Sequence, residues 1–582
     1  MSIQHQRQQY RQQLLEASEP ASSVPLPKPL KIRVELWTMF QLGWPMVGSF
    51  VCRILMASTD TAFVGHLTNS TTGFGLDKPR SAEQYLAASA LGDVFLTLLI
   101  APPLAFNQVL NALVGQAIGS GNPKMAGTWL QLSVLFLSAA YVPFLVAQYF
   151  AVAPLLRMLG FDDDLCHLAG VYARWQIFWP IPNGIYQCMR FYFQAQGLPR
   201  PAMYNNFVWL LLNGLLNWVY VFGGPFAYVS ASSRFHFGGF GYLGAAMSLS
   251  TSRCLQPVTY WLYMFVWRKA HRATWPGLNL DFLRYDRVKR FLFQALPLIG
   301  TTIFQVASSK VQTLLIAQLG TLVIGTSSAV VAATQPASDT MAAALTAVAA
   351  IRVGHHLGRG DAPAAQAATK LVLLVSLAIS TLLFCVLWPL RHQIVGLVTD
   401  DPQTQPVAAE MIGAQLVSSG VGVLVNILTQ GVLSGQGRTV VTTIMSFGVE
   451  LPLTIGGTAF LVYVAKVRGA SGLLWILWVG GAGVSCVQLA ILAVLMSGAC
   501  TNWQRYADDA RKRNEAAASE VAANQQEEPE QIVNQQTPAA EEALHGSVAP
   551  LPSAPPTVGD GSSGGAGSAS DAEPDRRAVR PR

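Results

Sequence analysis

One aspartate and two asparagines in apolar stretches could together form a proton- or cation-binding site. Asp60 lies near the end of a long apolar run, where an ionised carboxylate is costly unless it faces a cavity or a partner. Asn213 and Asn217 are four residues apart, which places both amides on one face of a helix. These amides could hydrogen-bond a carboxylate that exchanges protons. The alternative is that Asp60 is an interfacial aspartate solvated at a helix end.

Further polar residues stand in apolar surroundings. Glu450 directly precedes Leu451-Pro452, and the proline would leave a backbone carbonyl free to help bind a cation. The remaining candidates for a cavity or substrate site are Asp93, Gln305, Lys310, Gln335 and Asp339. Each acid could equally be neutral or paired inside the protein, with Lys310 or Arg53 as its partner.

No metal site or catalytic motif is evident. The seven cysteines show no CxxC or paired spacing. His355 and His356 are adjacent and do not share a helix face, and no carboxylate follows them at the spacing of a zinc protease. We interpret both histidines as loop residues. The sequence therefore predicts neither an enzyme nor a bound metal or organic cofactor.

The composition is that of an integral membrane protein. Of 582 residues, 51% are hydrophobic and 12% are charged, against roughly 25% charged in soluble domains. The mean hydropathy of +0.36 applies to the whole length, which excludes a secreted protein with one hydrophobic leader. The net charge of +7 comes from basic residues between apolar runs, so we expect a lipid bilayer and no nucleic acid as partner.

Twelve apolar runs are long enough to cross about 30 Å of hydrocarbon as helices. They lie near residues 36–66, 84–114, 127–156, 165–193, 203–224, 240–267, 291–320, 322–351, 366–390, 407–434, 439–464 and 470–498. Their continuous apolarity favours helices over barrel strands, which alternate. We therefore predict an all-α polytopic membrane protein.

The runs divide the chain into five parts. We predict an N-lobe of six helices over 36–267, a basic linker over 268–290 and a C-lobe of six helices over 291–502. Residues 1–35 and 503–582 lack apolar runs, and we predict that both segments are disordered.

The charges of the connections predict the orientation in the membrane. Lys124, Arg190, Arg200 and the linker 268–290 fall in even-numbered connections, which are therefore predicted to be cytoplasmic along with both termini. The glycosylation triplet Asn69-Ser70-Thr71 would then lie outside.

The two halves of the chain are related by an internal repeat. The sequence Gly115-Gln116-Ala117-Ile118-Gly119 has a counterpart about 240 residues later in Gly354-His355-His356-Leu357-Gly358. Asp162-Asp163 and Gln196-Gly197 recur at nearly the same spacing as Asp400-Asp401 and Gln436-Gly437. Six spans per half give both halves one orientation, an arrangement typical of alternating-access transporters.

At these residues the sequence resembles the multidrug and toxic compound extrusion (MATE) family of secondary antiporters, over about 36–498. The motifs that carry the resemblance are the run Asp60 to Leu67, Gly115-Gln116-Ala117 with Gly119 and Gly121, Tyr172-Ala173-Arg174-Trp175, Phe193-Gln194-Ala195-Gln196-Gly197, Asn213 with Asn217, and Arg352-Val353 before Leu357-Gly358. The resemblance implies two six-helix lobes around a central cavity and efflux driven by inward movement of protons or sodium.

The resemblance also bears on the coupling site. It implies that Asp60 binds the coupling ion, as an acid there does in bacterial branches. From their residue types and surroundings we predict Asn213, Asn217 and Glu450 as further coupling-ion residues. Gln305 and Lys310 stand where many eukaryotic members carry acids.

The predicted function is an ion-coupled antiporter that exports small organic ions, with a proton favoured over sodium. Asp60, Asp93, Asp339 and Glu450 favour cations. One alternative is an exporter of organic anions such as citrate. Another is a lipid-linked flippase, which should line its cavity with several Arg or Lys, whereas only Lys310 and Arg53 are evident. The protein could lie in the plasma membrane or an organelle membrane, and its oligomeric state stays open.

Overall fold

The computed structural model describes residues 31–67, 82–158, 160–228, 236–277, 280–398, 402–497 and 502–512. Within these ranges the regular structure is helical and contains no strand. The triplet Asn69-Ser70-Thr71, the pair Asp400-Asp401 and the segments 1–30 and 513–582 lie outside the described residues.

The first lobe consists of seven helices that form six spans. They are α1 (Ile32–Gly65), α2 (Ala82–Gly119), α3 (Pro123–Met158), α4 (Asp163–Trp175), α5 (Pro180–Ala195), α6 (Arg200–Phe222) and α7 (Tyr242–Trp261). Helices α4 and α5 together form the fourth span. Pro180 begins α5 after a short 3₁₀ turn, because proline fits the first turn of a helix but cannot continue one.

The second lobe repeats this order with one additional short helix. Its members are α8 (Tyr285–Ala317), α9 (Thr321–Gly358), α10 (Ala362–Leu387), α11 (Arg391–Gly396), α12 (Thr404–Leu433), α13 (Thr439–Val464) and α14 (Gly469–Met496). The last three helices contain π-helical turns. One of these turns, Ser446–Glu450, ends just before Pro452.

Each of the twelve predicted runs coincides with one of these helices or with the α4–α5 pair. Among the described residues, nine helices are long and apolar enough to qualify as membrane spans by length and composition alone. The other three passages are the α4–α5 pair, α7 and α9. The α4–α5 pair is broken at Pro180. Helices α7 and α9 carry polar side chains, including those of Arg253 and Asp339.

The apolar core shows how the lobes meet. One cluster of buried side chains is shared by both lobes and includes Met46, Val109, Val353 and Val372. A second cluster, with Val64, Tyr85, Tyr172 and Tyr242, belongs to the first lobe. A third cluster, with Ile316, Val330, Ile412 and Leu473, belongs to the second lobe. The lobes therefore pack together at the end of the predicted cytoplasmic connections, and each has its own core at the other end.

The repeated glycine motifs form the contact between α2 and α9. A Cβ atom on Gly119 would lie 2.1 Å from the carbonyl oxygen of His355, and a Cβ on Gly358 would lie 2.3 Å from that of Gln116. One turn earlier, the same reciprocal approach is made by Gly115 and Gly354. Small residues spaced by four let two helix backbones touch directly. The internal repeat therefore marks where the two halves join.

Two predicted boundaries were wrong. Helix α1 begins at Ile32, and Glu35 is buried rather than part of a disordered segment. At the other terminus, residues 503–512 are helical. Trp503, Ala507 and Ala510 belong to the shared core, because their small or aromatic side chains recur on one helix face.

The basic linker is also shorter than predicted, and it packs against α3. Helix α8 begins at Tyr285, inside the predicted range 268–290. Thr274 is fully buried, and its carbonyl oxygen accepts a hydrogen bond of 3.1 Å from the amide of Gly127 on α3. A Cβ on Gly127 would lie 2.5 Å from the same carbonyl, so the linker lies directly on the α3 backbone.

The α2–α9 contact can be tested with Gly119→Ala. Its methyl group would overlap the His355 carbonyl, and we expect a loss of about 1–3 kcal/mol in the free energy of unfolding. Gly214→Ala is the matched control, because no atom lies within 4 Å of the position that its Cβ would take and alanine is the better helix former. Thermal unfolding of the purified proteins measures the difference. Equal stability of the two variants would contradict a backbone-to-backbone contact.

Candidate functional site

The structure brings Asp60, Asn213 and Asn217 together. Asn213 Nδ2 donates a hydrogen bond of 3.0 Å to Oδ1 of Asp60, and Asn217 Nδ2 donates one of 2.7 Å to the same oxygen. Asp60 is 6% exposed, and both asparagines are fully buried. The four-residue spacing on α6 stacks the two amides against one face of α1. This geometry is that of a buried carboxylate held by two neutral donors.

Charged and polar side chains lie near this carboxylate. Arg253 on α7 and Asp93 on α2 lie within electrostatic range of Asp60. Asp93 accepts a hydrogen bond of 3.4 Å from Nε2 of Gln176. Gln176 lies in the 3₁₀ turn between α4 and α5, so the break in the fourth span positions this donor. The predicted residue Asp93 therefore lies near enough to Asp60 for the two acids to interact electrostatically.

A separate polar group surrounds Glu450 in the second lobe. The hydroxyl of Ser446 donates a hydrogen bond of 3.2 Å to Oε2 of Glu450, and the side chains of Gln305 and Gln488 lie within its hydrogen-bonding range. Gln430 Nε2 donates a bond of 3.1 Å to Oε1 of Gln305. Two predicted candidates, Glu450 and Gln305, therefore lie together on α13 and α8.

The second lobe has a neutral residue at the position that corresponds to Asp60. If the prolines of α1 and α8, Pro45 and Pro297, are aligned, Asp60 corresponds to Gln312. Gln312 Nε2 donates a hydrogen bond of 3.4 Å to the hydroxyl of Thr458 on α13, which is the counterpart of α6. The repeat therefore conserves the helix contact but not the charge.

Three predicted candidates stay outside both groups. Lys310 on α8 and Gln335 and Asp339 on α9 are exposed side chains. Gln335 lies within hydrogen-bonding range of Asp339, one turn away on the same helix. Within the described ranges, Lys310 forms no ion pair with an acid.

An ion-pair network links the two lobes at the end where they share an apolar core. Arg352 on α9 donates bonds of 2.7 Å and 2.6 Å to the two carboxylate oxygens of Glu35 on α1. Nε2 of His356 lies 3.4 Å from Oε1 of Glu35. The interpretation of His355 and His356 as loop residues was wrong, since both lie in the last turn of α9. Sequence reasoning missed this network because no local pattern relates α1 to α9.

Two buried arginines were also missed. Arg190 was assigned to a connection, but it lies within α5 and is 2% exposed. Arg253 lies within α7 and is 7% exposed. Arg253 fell inside the predicted sixth span, and the high cost of an intramembrane charge could have identified it. Lys310 and Arg53 are therefore not the sole intramembrane cations.

The amino-acid sequence matches one known family of proteins in both lobes. The family model MatE matches residues 78–219 and 297–455, one segment in each lobe. Protein DETOXIFICATION 12 of Arabidopsis thaliana is 26% identical over 489 residues, covering 82% of this chain and 92% of that protein. Uncharacterized transporter C323.07c of Schizosaccharomyces pombe is 24% identical over 493 residues, covering 83% of each.

A solved structure confirms the predicted fold. The crystal structure of the eukaryotic MATE transporter AtDTX14 superimposes with a TM-score of 0.69 at 22% sequence identity, covering 83% of this chain and 99% of that one. At this identity the likeness concerns the fold alone. The predicted architecture of twelve transmembrane helices in two six-helix repeats around a central cavity is therefore correct.

The ion pair between the lobes predicts a large effect of Glu35→Gln. The variant would leave the charge of Arg352 without its carboxylate, and breaking a buried pair costs about 3–5 kcal/mol in the free energy of unfolding. Asp163→Asn is the control, because its pair with Arg157 is exposed and should contribute less than about 1 kcal/mol. Thermal unfolding of Glu35→Gln, Arg352→Gln and their double variant gives the coupling between the two residues, and Asp163→Asn is measured beside them. A null coupling between Glu35 and Arg352 would contradict the network.

Proposed function

Since the chain belongs to the MATE family of multidrug and toxic compound efflux transporters, we propose that it is a proton-coupled antiporter that exports small organic ions by alternating access. The observation that carries the proposal is the hydrogen-bonded group of Asp60, Asn213 and Asn217 inside the first lobe. A buried carboxylate held by neutral amides can gain or lose a proton without losing its partners.

The two amides can serve both protonation states of Asp60. Their Nδ2 groups donate to the carboxylate, as an ionised acid requires. Their Oδ1 atoms are buried and have no hydrogen-bond partner among the residues that the structure describes. A protonated Asp60 has one O–H donor, which one of these oxygens could accept after a small rotation. Proton binding would thus rearrange the contact between α1 and α6.

The packing of the lobes supports alternating access. The glycine contact of α2 with α9 and the ion pair of Glu35 with Arg352 hold the two lobes together at one end. At the other end the lobes have separate cores. We propose that the closed end is cytoplasmic, as the basic connections predict, with both termini on that side. This arrangement then corresponds to a state open to the outside.

Coupling requires that a proton and the substrate compete for one site or one conformation. We propose that Asp60 provides the site, with Asp93 beside it. The second lobe would contribute less, because Gln312 at the corresponding position cannot ionise. Glu450 is the second-lobe candidate, since it has its own amide and hydroxyl partners.

We expect Asp60→Asn to abolish proton-driven efflux, since the amide keeps the size and hydrogen bonding of the side chain but cannot exchange a proton. Efflux of a fluorescent organic cation from proteoliposomes under a pH gradient should fall roughly tenfold or more. Asp163→Asn is the control, because Asp163 is an exposed carboxylate that pairs with Arg157 at the start of α4. Wild-type efflux with unchanged pH dependence in Asp60→Asn would transfer the proposed role to Glu450.

A further inference from the structure

Three arginine side chains lie around Tyr186 inside the first lobe. Arg53 on α1, Arg190 on α5 and Arg253 on α7 all lie within electrostatic range of the hydroxyl of Tyr186. Arg190 and Arg253 are 2% and 7% exposed, and Arg53 is partly exposed. Cations at this depth in a membrane protein are costly and are normally paired with an acid. Three arginines at this depth would therefore be expected to have acidic partners.

The protein orients the guanidinium of Arg190 without neutralising its charge. Its central carbon lies 4.8 Å from the ring of Phe50 and 4.7 Å from the ring of Phe191. Such cation–π contacts stabilise a guanidinium face and leave its N–H edge available. The hydroxyl of Tyr186 donates a 2.6 Å hydrogen bond to Oδ1 of Asn206, which fixes the centre of the cluster.

Four nitrogen atoms of the cluster have no hydrogen-bond acceptor among the described residues. Nε and Nη1 of Arg190, Nη1 of Arg53 and Nη1 of Arg253 are buried, and no hydrogen-bond acceptor from the described part of the chain reaches them. Among the described residues, Asp60 is the one carboxylate within electrostatic range of the cluster, and it faces Arg253. Arg253 therefore has one carboxylate within electrostatic range, and no described carboxylate is within range of Arg53 or Arg190.

We propose that Arg53, Arg190 and Arg253 form a binding site for an oxyanion, that is, a carboxylate or phosphate group. The fork of N–H donors on a guanidinium matches the paired oxygens of both groups, and arginine keeps its charge at every physiological pH. A bound oxyanion would supply the acceptors and the negative charge that the cluster lacks. This site goes beyond the proposed antiport, because neither proton exchange at Asp60 nor export of an organic cation requires it.

The cluster is electrostatically linked to Asp60 through Arg253. An ionised Asp60 attracts Arg253 and repels an oxyanion, whereas a protonated Asp60 does neither. The other titratable groups facing Asp60 are Asp93 on α2 and Tyr172 on α4, and protonation of Asp93 acts in the same direction. Oxyanion affinity should therefore rise as the pH falls, and by reciprocity a bound oxyanion should favour proton binding. This link, unlike oxyanion binding itself, rests on the proposed function.

Binding can be measured on the purified full-length protein in lipid nanodiscs. Citrate, inorganic phosphate and chloride are titrated separately at constant ionic strength, and binding is followed by calorimetry and by thermal unfolding. We expect saturable binding of one citrate or one phosphate per chain. Comparison of the two titrations shows whether the bound oxyanion is organic or inorganic. No saturable binding of either by the wild-type protein would overturn the proposal, as would binding of chloride alone.

Variants then locate the site. Arg190→Gln and Arg253→Gln should each weaken oxyanion binding roughly tenfold or more, because each removes charged hydrogen bonds. Arg157→Gln, which changes an exposed arginine of the same lobe, should leave it unchanged. Arg190→Lys keeps the charge but loses the fork, and should weaken binding in a protein that still folds. Equal affinity in the wild-type protein and all of these variants would overturn the assignment.

Asp60→Asn separates this inference from the proposed function. The variant should bind the oxyanion at least as tightly as the wild-type protein and with a weaker pH dependence, since Asp93 still titrates. Retained oxyanion binding with retained proton-driven efflux would refute the coupling role of Asp60 and leave the arginine site standing. Lost oxyanion binding in Asp60→Asn would overturn the arginine site.

Discussion

The direct backbone contact between α2 and α9 is the constraint on which the rest of the structure depends. Because Gly119 and Gly358 have no side chains, the carbonyls of His355 and Gln116 come within contact distance of the opposite helix. This closeness brings α1 beside α9, where Glu35 meets Arg352. Away from this contact, each lobe has its own core of buried apolar side chains.

The first lobe concentrates charge that the second lobe lacks at the corresponding position. Asp60 and Arg53 are both on α1, seven residues and so about two helical turns apart, which places them on similar faces of the helix. Arg253 on α7 lies within range of both. The break at Pro180 turns Gln176 towards Asp93. A carboxylate site and an arginine cluster are thus neighbours that share one arginine, and each sets the electrostatic environment of the other.

Much of the fold and part of the site could be predicted from local patterns. Helices in a bilayer need long apolar runs, because unpaired backbone groups cannot be exposed to lipid, and these runs are visible in the sequence. The spacing of Asn213 and Asn217 showed that they share a face, and the repeated glycines showed that the halves correspond. Arg190 was misplaced because a basic residue near the end of an apolar run is typical of a connection, although here tyrosine and phenylalanine surround it.

The sequence by itself determined the number of spans and the two-lobe repeat, because these depend on composition and short spacings, and it showed which acids lie in apolar runs. Only the tertiary structure decided which of these residues meet. Asp60 accepts hydrogen bonds from Asn213 and Asn217, which lie 153 and 157 residues later in the sequence. Glu35 pairs with Arg352, which lies 317 residues later. Lys310 and Asp339, equally plausible by residue type, stay apart from both groups. Such pairings arise from how helices pack, and helix packing depends on contacts far apart in the chain.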